Sequence, residues 1–404
     1  MERELASIVP VGQRPAVDGI VGDDGEIPQL DLRAMREEFP IARDRCYLNN
    51  ASIAPASNPV LAAMQAFLHD VRDHGRNNYP NWCRYADEKI KGRIATLIGA
   101  NPDELAFVKN TTEGIVTVAN GLDWREGDNV VLPDIEYPSN VYCWMRLAKR
   151  GVSIKWAGND GGRVTVDSLA EAIDSRTRLV SVSAVQFSNG FRQDMELTSE
   201  LCAQRGVLLN LDAIQWIGAL RMDVRRFHVD FMSAGGHKWL LGPIGSGFFY
   251  CNRNSLGLLD PPSVGYHSVD KHEAHMDYEL VYRPNAGRFE EALVNFPGIW
   301  GLDAAVKMLL GLGAEVVERH ILELVGHAAE LLQARGWQIA SSLGKGERSG
   351  LLSFRKPGLD VEAVAARLEH AGIDAAVRDG ALRISPSYYN NRADIERLVR
   401  ELPR

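Results

Sequence analysis

The sequence predicts an α/β protein, a mostly parallel sheet covered by helices on both faces and followed by a smaller α+β region. Three observations predict it. From Leu105 to Cys251, short apolar runs alternate with segments of helical spacing, as repeated βα units require. Thr111, Asp212 and Lys238, polar residues with chemical uses, fall at the ends of such runs, where open α/β sheets hold ligands. Near Gly298 the pattern changes to long Leu-, Ala- and Glu-rich stretches and then to short strands and helices.

Taken in order, residues 1–28 carry Pro, Gly and Asp without periodicity and read as a flexible leader. Residues 29–297 form the large ligand-binding domain, and 298–404 the small α+β domain, which the N-terminal segment helps to complete. A short helix is expected over Leu30–Phe39, stopped by Pro40, then a strand over Tyr47–Ala51. Helical spacing of Val60, Leu61, Met64 and Leu68 predicts a helix from Pro59 to Arg72. Asn77–Asn81 breaks the pattern, and a second helix follows over Tyr85–Ile98. Strands are then expected at 106–108, 129–132, 152–156, 178–187, 207–211, 229–233 and 248–251, with helices at 110–118, 139–149, 165–173 and 197–205 between them. Beyond Gly298, one or two long helices reach Arg335, with a break at Gly311–Gly313. Short elements follow at 351–354, 361–370, 374–377, 382–385 and 393–402.

Bulk properties exclude several functions. The chain has 404 residues and a net charge of −8 with no long Lys/Arg run, so nucleic acid and anionic membrane surfaces are not expected partners. No apolar window of about 18 residues predicts a transmembrane helix, and Met1–Leu5 opens no signal-peptide core. The five cysteines, Cys46, Cys83, Cys143, Cys202 and Cys251, are scattered without a C-x-x-C pair. Neither a disulfide framework nor a zinc site is expected, and a reducing cytoplasm suits the chain.

The chemistry centres on Gly235-Gly236-His237-Lys238, between an apolar run and a glycine-rich turn. Glycines permit close backbone approach, and an ammonium at a strand end gains little unless it pairs or reacts. Twenty-six residues earlier, Asp212 ends another apolar run. Such a lysine and such a carboxylate are the two protein groups a pyridoxal 5′-phosphate site needs, one for the Schiff base and one for the pyridine nitrogen. Taken singly, each has an ordinary reading: Lys238 as a surface lysine, Asp212 as a cap or turn residue, Thr111 and Thr112 as helix caps, Tyr137 as loop packing. Thr111 and Thr112 at a helix start would also suit a phosphate, since free N–H groups and the helix dipole favour negative charge there. Gly242–Gly247 matches neither a P-loop nor a dinucleotide fingerprint, which sets nucleotide binding aside.

Several motifs together resemble the class V aminotransferase family of pyridoxal-phosphate enzymes, over roughly residues 45–403. They are Gly236-His237-Lys238 with Gly242-Pro243-Ile244-Gly245, Asp212-Ala213-Ile214-Gln215, Asn110-Thr111-Thr112-Glu113-Gly114, Tyr47–Ala51, Arg288-Phe289-Glu290, and Arg383-Ile384-Ser385 followed by Tyr389-Asn390. The resemblance implies fold type I, with a large sheet of the seven-stranded type, and a homodimer with sites at the interface. It implies that Lys238 carries the cofactor and moves the Cα proton, that Asp212 faces the ring nitrogen and Gln215 the phenolic oxygen, and that Tyr137 stacks on the ring. Thr111, Thr112 and His237 would lie about the phosphate, and Arg383 would hold the substrate α-carboxylate. Asn50 and Gln186 are further candidate substrate contacts, with Arg192 as the alternative to Arg383.

This chain departs from the family pattern in carrying Gly235 where many relatives have a phosphate-binding serine, and Glu291-Ala292-Leu293 where many have Gly-Thr. The resemblance implies an enzyme acting on the α-amino acid part of a small molecule. Transamination leads, and C–S β-lyase, epimerase and oxidative deaminase chemistry are the alternatives; a non-catalytic cofactor-binding regulator is the alternative of another class. Because no cysteine follows Cys251, desulfurase activity is not expected. His267, His272 and His275 lie close together, but they form no complete ligand motif and read as a polar loop, so no metal is expected.

Overall fold

Where the chain is nearly continuously apolar it forms strands buried on both sides. The computed structural model describes residues 31–271, 276 and 278–403. The leader and the pair His272 and His275 therefore lie outside the described residues. The strands up to the end of the large sheet are β1 (Cys46–Tyr47), β2 (Leu105–Phe107), β3 (Asn129–Pro133), β4 (Ser153–Ala157), β5 (Thr177–Ser183), β6 (Leu208–Asp212), β7 (Phe231–Gly235) and β8 (Gly247–Cys251). Seven of them form one sheet in the order β2-β8-β7-β6-β5-β3-β4. The neighbours from β7 to β4 pair in parallel, whereas β8 is antiparallel to both β7 and β2. β8 alone is reversed, because a glycine-rich turn rather than a helix joins it to β7, and a parallel return needs a longer crossover. The carboxyl ends of β2, β5, β6 and β7 thus share one edge of the sheet.

Alternation along each strand divides the core in two. Phe231, Phe249 and Cys251 face one cluster with Leu132 and Ile115, while Met232, Phe248 and Tyr250 face the other with Val182 and Leu211. This is the period-2 rule applied to a sheet covered on both faces. The helix Thr111–Gly121 packs on the first face, and Phe296–Leu312 lies in the second cluster. A third cluster lies under a four-stranded sheet formed by β9 (Gln338–Ile339), β10 (Leu352–Arg355), β12 (Ala376–Arg378) and β13 (Ala381–Ile384), in the order β12-β13-β10-β9. β11 (Ile373–Asp374) instead pairs in parallel with β1, tying the N-terminal strand to the C-terminal region.

The structure shifts some expected boundaries for identifiable reasons. Asn77–Asn81 is not a break: a 3-10 turn, Gly75–Asn78, runs into the helix Tyr79–Tyr85. Pro80 is tolerated in that first turn, where no N–H partner is needed. Buried Asp70 accepts bonds from Asn78 Nδ2 at 2.8 Å and Trp82 Nε1 at 2.6 Å, fixing the corner. The strand expected over 178–187 ends at Ser183, since Gln186 N–H donates to Phe191 O across a turn at Gly190. The first strand is shorter than Tyr47–Ala51, with an isolated bridge Asn49–Ser385 beyond it. The long helical stretch does break at Gly313, between Phe296–Leu312 and Ala314–Ala334. Among the described residues no helix is long and apolar enough to cross a membrane.

Candidate active site

A cleft of about 490 Å³ opens at the carboxyl edge of the large sheet. It is lined by Lys238, Asp212, Gln215, Thr111, Thr112, Tyr137, His237 and Arg383, together with Ser52, Phe187 and Arg378. Residues far apart in sequence meet there because their strands end on the same edge.

Asp212 is the last residue of β6 and is buried; its Oδ1 accepts the Ile214 N–H at 3.1 Å. Burial drives its carboxyl up to about 7, the buried Glu136 adds to the rise, and Lys238 opposes it. Lys238 follows β7, and burial lowers its ammonium to about 8; Asp212 supports the charge while Arg383 and Arg378 oppose it. Its Nζ lies 5.6 Å from the centre of the Tyr137 ring. That ring is held edge-on against Phe187 at 5.1 Å. Gln215 is fixed at both ends of its amide, Nε2 donating to Ala51 O at 3.1 Å and Oε1 accepting from Trp239 Nε1 at 2.8 Å.

One end of the cleft is built for an anion. Asn110 caps the helix Thr111–Gly121, and Thr111 Oγ1 accepts the Gly235 N–H at 3.0 Å. Thr112 Oγ1 donates to Ser139 Oγ at 2.9 Å, and His237 Nδ1 is buried without a hydrogen-bond partner. Burial and Lys238 both lower the His237 pKa. Gly235 has a steric reason: a Cβ there would lie 3.1 Å from the His237 ring. The imidazole occupies the space beside the position where a serine would stand.

The other end holds Arg383, which is buried on β13. Its Nη1 donates to Phe187 O, its Nη2 donates to Ser52 Oγ at 3.0 Å, and its Nε has no partner. Burial and Arg378 bring the guanidinium down to about 10. A buried cation that meets only neutral oxygens is arranged to receive an anion.

Three expected contacts lie elsewhere. Asn50 does not line the cleft: Nδ2 donates to Ser385 O at 2.8 Å and Oδ1 accepts from Tyr389 Oη at 2.9 Å. Gln186 is buried behind the cleft, its Nε2 donating to Glu136 Oε1 at 3.1 Å. Arg192 stacks over the Trp216 ring at 4.5 Å and pairs with Glu318 at 3.6 Å, also outside the cleft. Sequence reasoning missed Arg378, Ser52 and Glu136. Arg378 had a signal in the following Asp379-Gly380, a hairpin-turn dipeptide; the other two had none.

A lysine and a carboxylate facing one slot, with an anion-binding helix terminus at one end and a buried arginine at the other, define a cofactor-dependent α/β enzyme of amino-acid chemistry. Residues 46–398 match the aminotransferase class-V family, and the chain belongs to that family. Class V aminotransferases are pyridoxal-phosphate enzymes, and the orphaned His237 Nδ1, the capped helix and the Lys238–Asp212 pair fit that cofactor. A relative from Methanothermobacter thermautotrophicus, named a probable cysteine desulfurase, is 33% identical over 389 residues, covering 90% of this chain and 95% of that one. The apo structure of a cysteine desulfurase from Thermococcus onnurineus superposes with a TM-score of 0.84 at 25% identity, covering 92% of this chain and 97% of the other. A cystine C–S lyase in complex with its product cysteine persulfide shares the fold, with a TM-score of 0.83 at 23% identity over 90% of this chain and 98% of that one.

These relatives overturn the sequence-based exclusion of desulfurase activity. That exclusion placed the sulfur acceptor by sequence position alone. Lys238 and Asp212 are placed by the ends of their strands, an arrangement that does not depend on where a thiol falls along the chain.

Proposed function

We propose that this chain is a pyridoxal-phosphate enzyme that breaks the carbon–sulfur bond of cysteine or a cysteine-derived amino acid. The observation that carries the bond assignment is the 33% identity, over 90% of the chain, to a probable cysteine desulfurase. Transamination, the reaction the sequence favours, has behind it the family's description and the names of less similar relatives, at 26% identity or below.

The bound cofactor supplies an electron sink for the bond broken at the substrate's Cα. Lys238 would hold it through Nζ, and its amine, when free, would serve as the base for the Cα proton; a lysine lowered to about 8 has a neutral fraction near neutrality that can do this. Asp212 would face the ring nitrogen, whose positive charge would favour the ionised carboxylate that burial disfavours. Gln215 would face the phenolic oxygen, Tyr137 would cover one face of the ring, and Thr111, Thr112 and His237 would hold the phosphate. Arg383 would grip the α-carboxylate with two parallel hydrogen bonds and so orient the substrate's Cα bonds.

The working unit in this proposal is a cytoplasmic homodimer. Exposed Val264, Tyr266, Leu280, Val281 and Leu293 supply apolar surface for a second copy, and the five cysteines are all free thiols. Sedimentation at micromolar concentration should give twice the chain mass.

Incubation of the cofactor-loaded enzyme with L-cysteine and with L-cystine tests the reaction. Sulfide or persulfide should appear together with alanine or pyruvate, and Lys238→Ala should abolish both. Amino-group transfer to a keto acid without sulfur release would overturn the assignment.

A further inference from the structure

We propose that Arg378 recognises a second anionic group on the substrate, so that the preferred substrates are cysteine derivatives whose side chain ends in a carboxylate or another anion. The proposal rests on the reading of the cleft as an amino-acid site with Arg383 on the α-carboxylate.

Register places the two arginines together. β12 and β13 pair antiparallel with Ala376 opposite Arg383 and Arg378 opposite Ala381. Directly opposed residues of an antiparallel pair point to the same face, as do residues two apart on one strand. Arg378 and Arg383 therefore share a face, and each stands across from an alanine too small to fill the space beside it. Ser353, opposite Arg383 on β10, is small as well.

The hairpin fixes Arg378 at the cleft. Only Asp379 and Gly380 separate β12 from β13, with φ of 49° and 69°. Both values are left-handed, as a tight two-residue hairpin turn requires. Arg378 is the residue immediately before this turn, and it lines the cleft while remaining exposed.

Charge supplies the second argument. The cleft is lined by two lasting cations, Arg378 and Arg383, and by Lys238, which the cofactor would occupy, with Asp212 the one carboxylate among them. The cofactor phosphate is met at the opposite end by Thr111, Thr112 and His237, and the α-carboxylate by Arg383. Arg378 is the cation left over. Its Nη1 donates to Val377 O at 2.6 Å, and no carboxylate among the described residues pairs with it. It also opposes the charge on both Lys238 and Arg383, so an anion bound there relieves a repulsion inside the site.

The test uses an isosteric pair, S-carboxymethyl-L-cysteine and the neutral S-carbamoylmethyl-L-cysteine, titrated into the cofactor-loaded enzyme while its absorbance spectrum is followed. The acid should bind about five- to tenfold more tightly, the range for a charge-assisted bond at a partly exposed site. Arg378→Gln should bring the ratio to about one, Arg378→Lys should keep part of it, and Arg378→Glu should reverse it. Equal affinities in the unaltered enzyme, or a preference that survives Arg378→Gln, overturn the proposal. If the ratio holds but neither these compounds nor L-cysteine and L-cystine release a sulfur product, the carbon–sulfur reading fails and the role of Arg378 stands. If neither compound changes the spectrum, the role of Arg378 falls, and turnover of L-cysteine and L-cystine decides the carbon–sulfur reading separately.

Discussion

The Nζ of Lys238 lies 5.6 Å from the centre of the Tyr137 ring, a cation over an aromatic face. The two residues come from separate strand-end loops, and Phe187 holds the ring in place from the side. An amine so held has one face of the slot closed by the phenol and Asp212 deeper in the same cleft. Borohydride reduction of the loaded enzyme should therefore fix the pyridoxyl group on Lys238. Peptide mapping checks this, and label on another lysine would remove Lys238 from its assigned role.

Asp212 makes the cofactor-free protein's stability depend on pH in a definite direction. Its carboxyl stands at about 7 in the folded chain, against an ordinary 3.8. Between those values the folded state binds more protons than the unfolded one, so stability falls as pH rises through this window. The favourable contribution is complete below the lower value and gone above the upper. Asp212→Asn removes the titration. The stability of the variant relative to the unaltered apoprotein should thus climb between pH 4 and pH 7, by an amount on the order of a few kcal/mol. Thermal unfolding at several pH values measures it, and a flat difference would contradict the burial argument.

Arg383→Ala should lower kcat/KM roughly 10- to 150-fold, the equivalent of a lost charge-assisted bond of about 1.5–3 kcal/mol. Arg383→Lys should rescue only part, because a point charge cannot reproduce a planar fork. The cofactor spectrum should stay intact in both. Steady-state kinetics of a folded Arg383→Ala enzyme with unchanged constants would place the carboxylate elsewhere.

Glu136 is a buried carboxylate that holds other residues in place. Its Oε1 and Oε2 accept the Ser183 N–H and hydroxyl at 2.6 Å each, and Oε1 also accepts from Gln186. Ser183 lies across from Asp212 in the β5–β6 register. Glu136→Ala leaves these donors without an acceptor and should cost roughly 1–3 kcal/mol for each buried group left unpaired. Glu136→Gln keeps the Oε1 acceptor and should cost less. It also takes away a negative charge beside Asp212, so the Asp212 titration should move to lower pH. Urea unfolding of the two variants, with the apoprotein pH profile of Glu136→Gln, separates packing from charge.

The sequence by itself determined the alternation of strands and helices, the break at Gly313, the helix start near Asn110 (though the cap is Asn110 rather than Thr111 or Thr112), and Lys238 and Asp212 as strand-end groups. Each is set by neighbours within a few residues: apolar period, glycine placement, a capping side chain. The reversal of β8 was not legible, nor was the shortening of the strand after Thr177, because both follow from how the chain returns across the sheet. Tertiary structure alone decided which polar residues reach the cleft. Asn50 and Gln186 sit in the expected segments, yet their amides are taken up by Ser385, Tyr389 and Glu136. Arg378 entered because its strand pairs with β13 in one register, and a slip of a single residue would turn its side chain to the other face. Such pairings join segments distant in sequence, so no local pattern encodes them, and in this protein they decide which cations line the cleft.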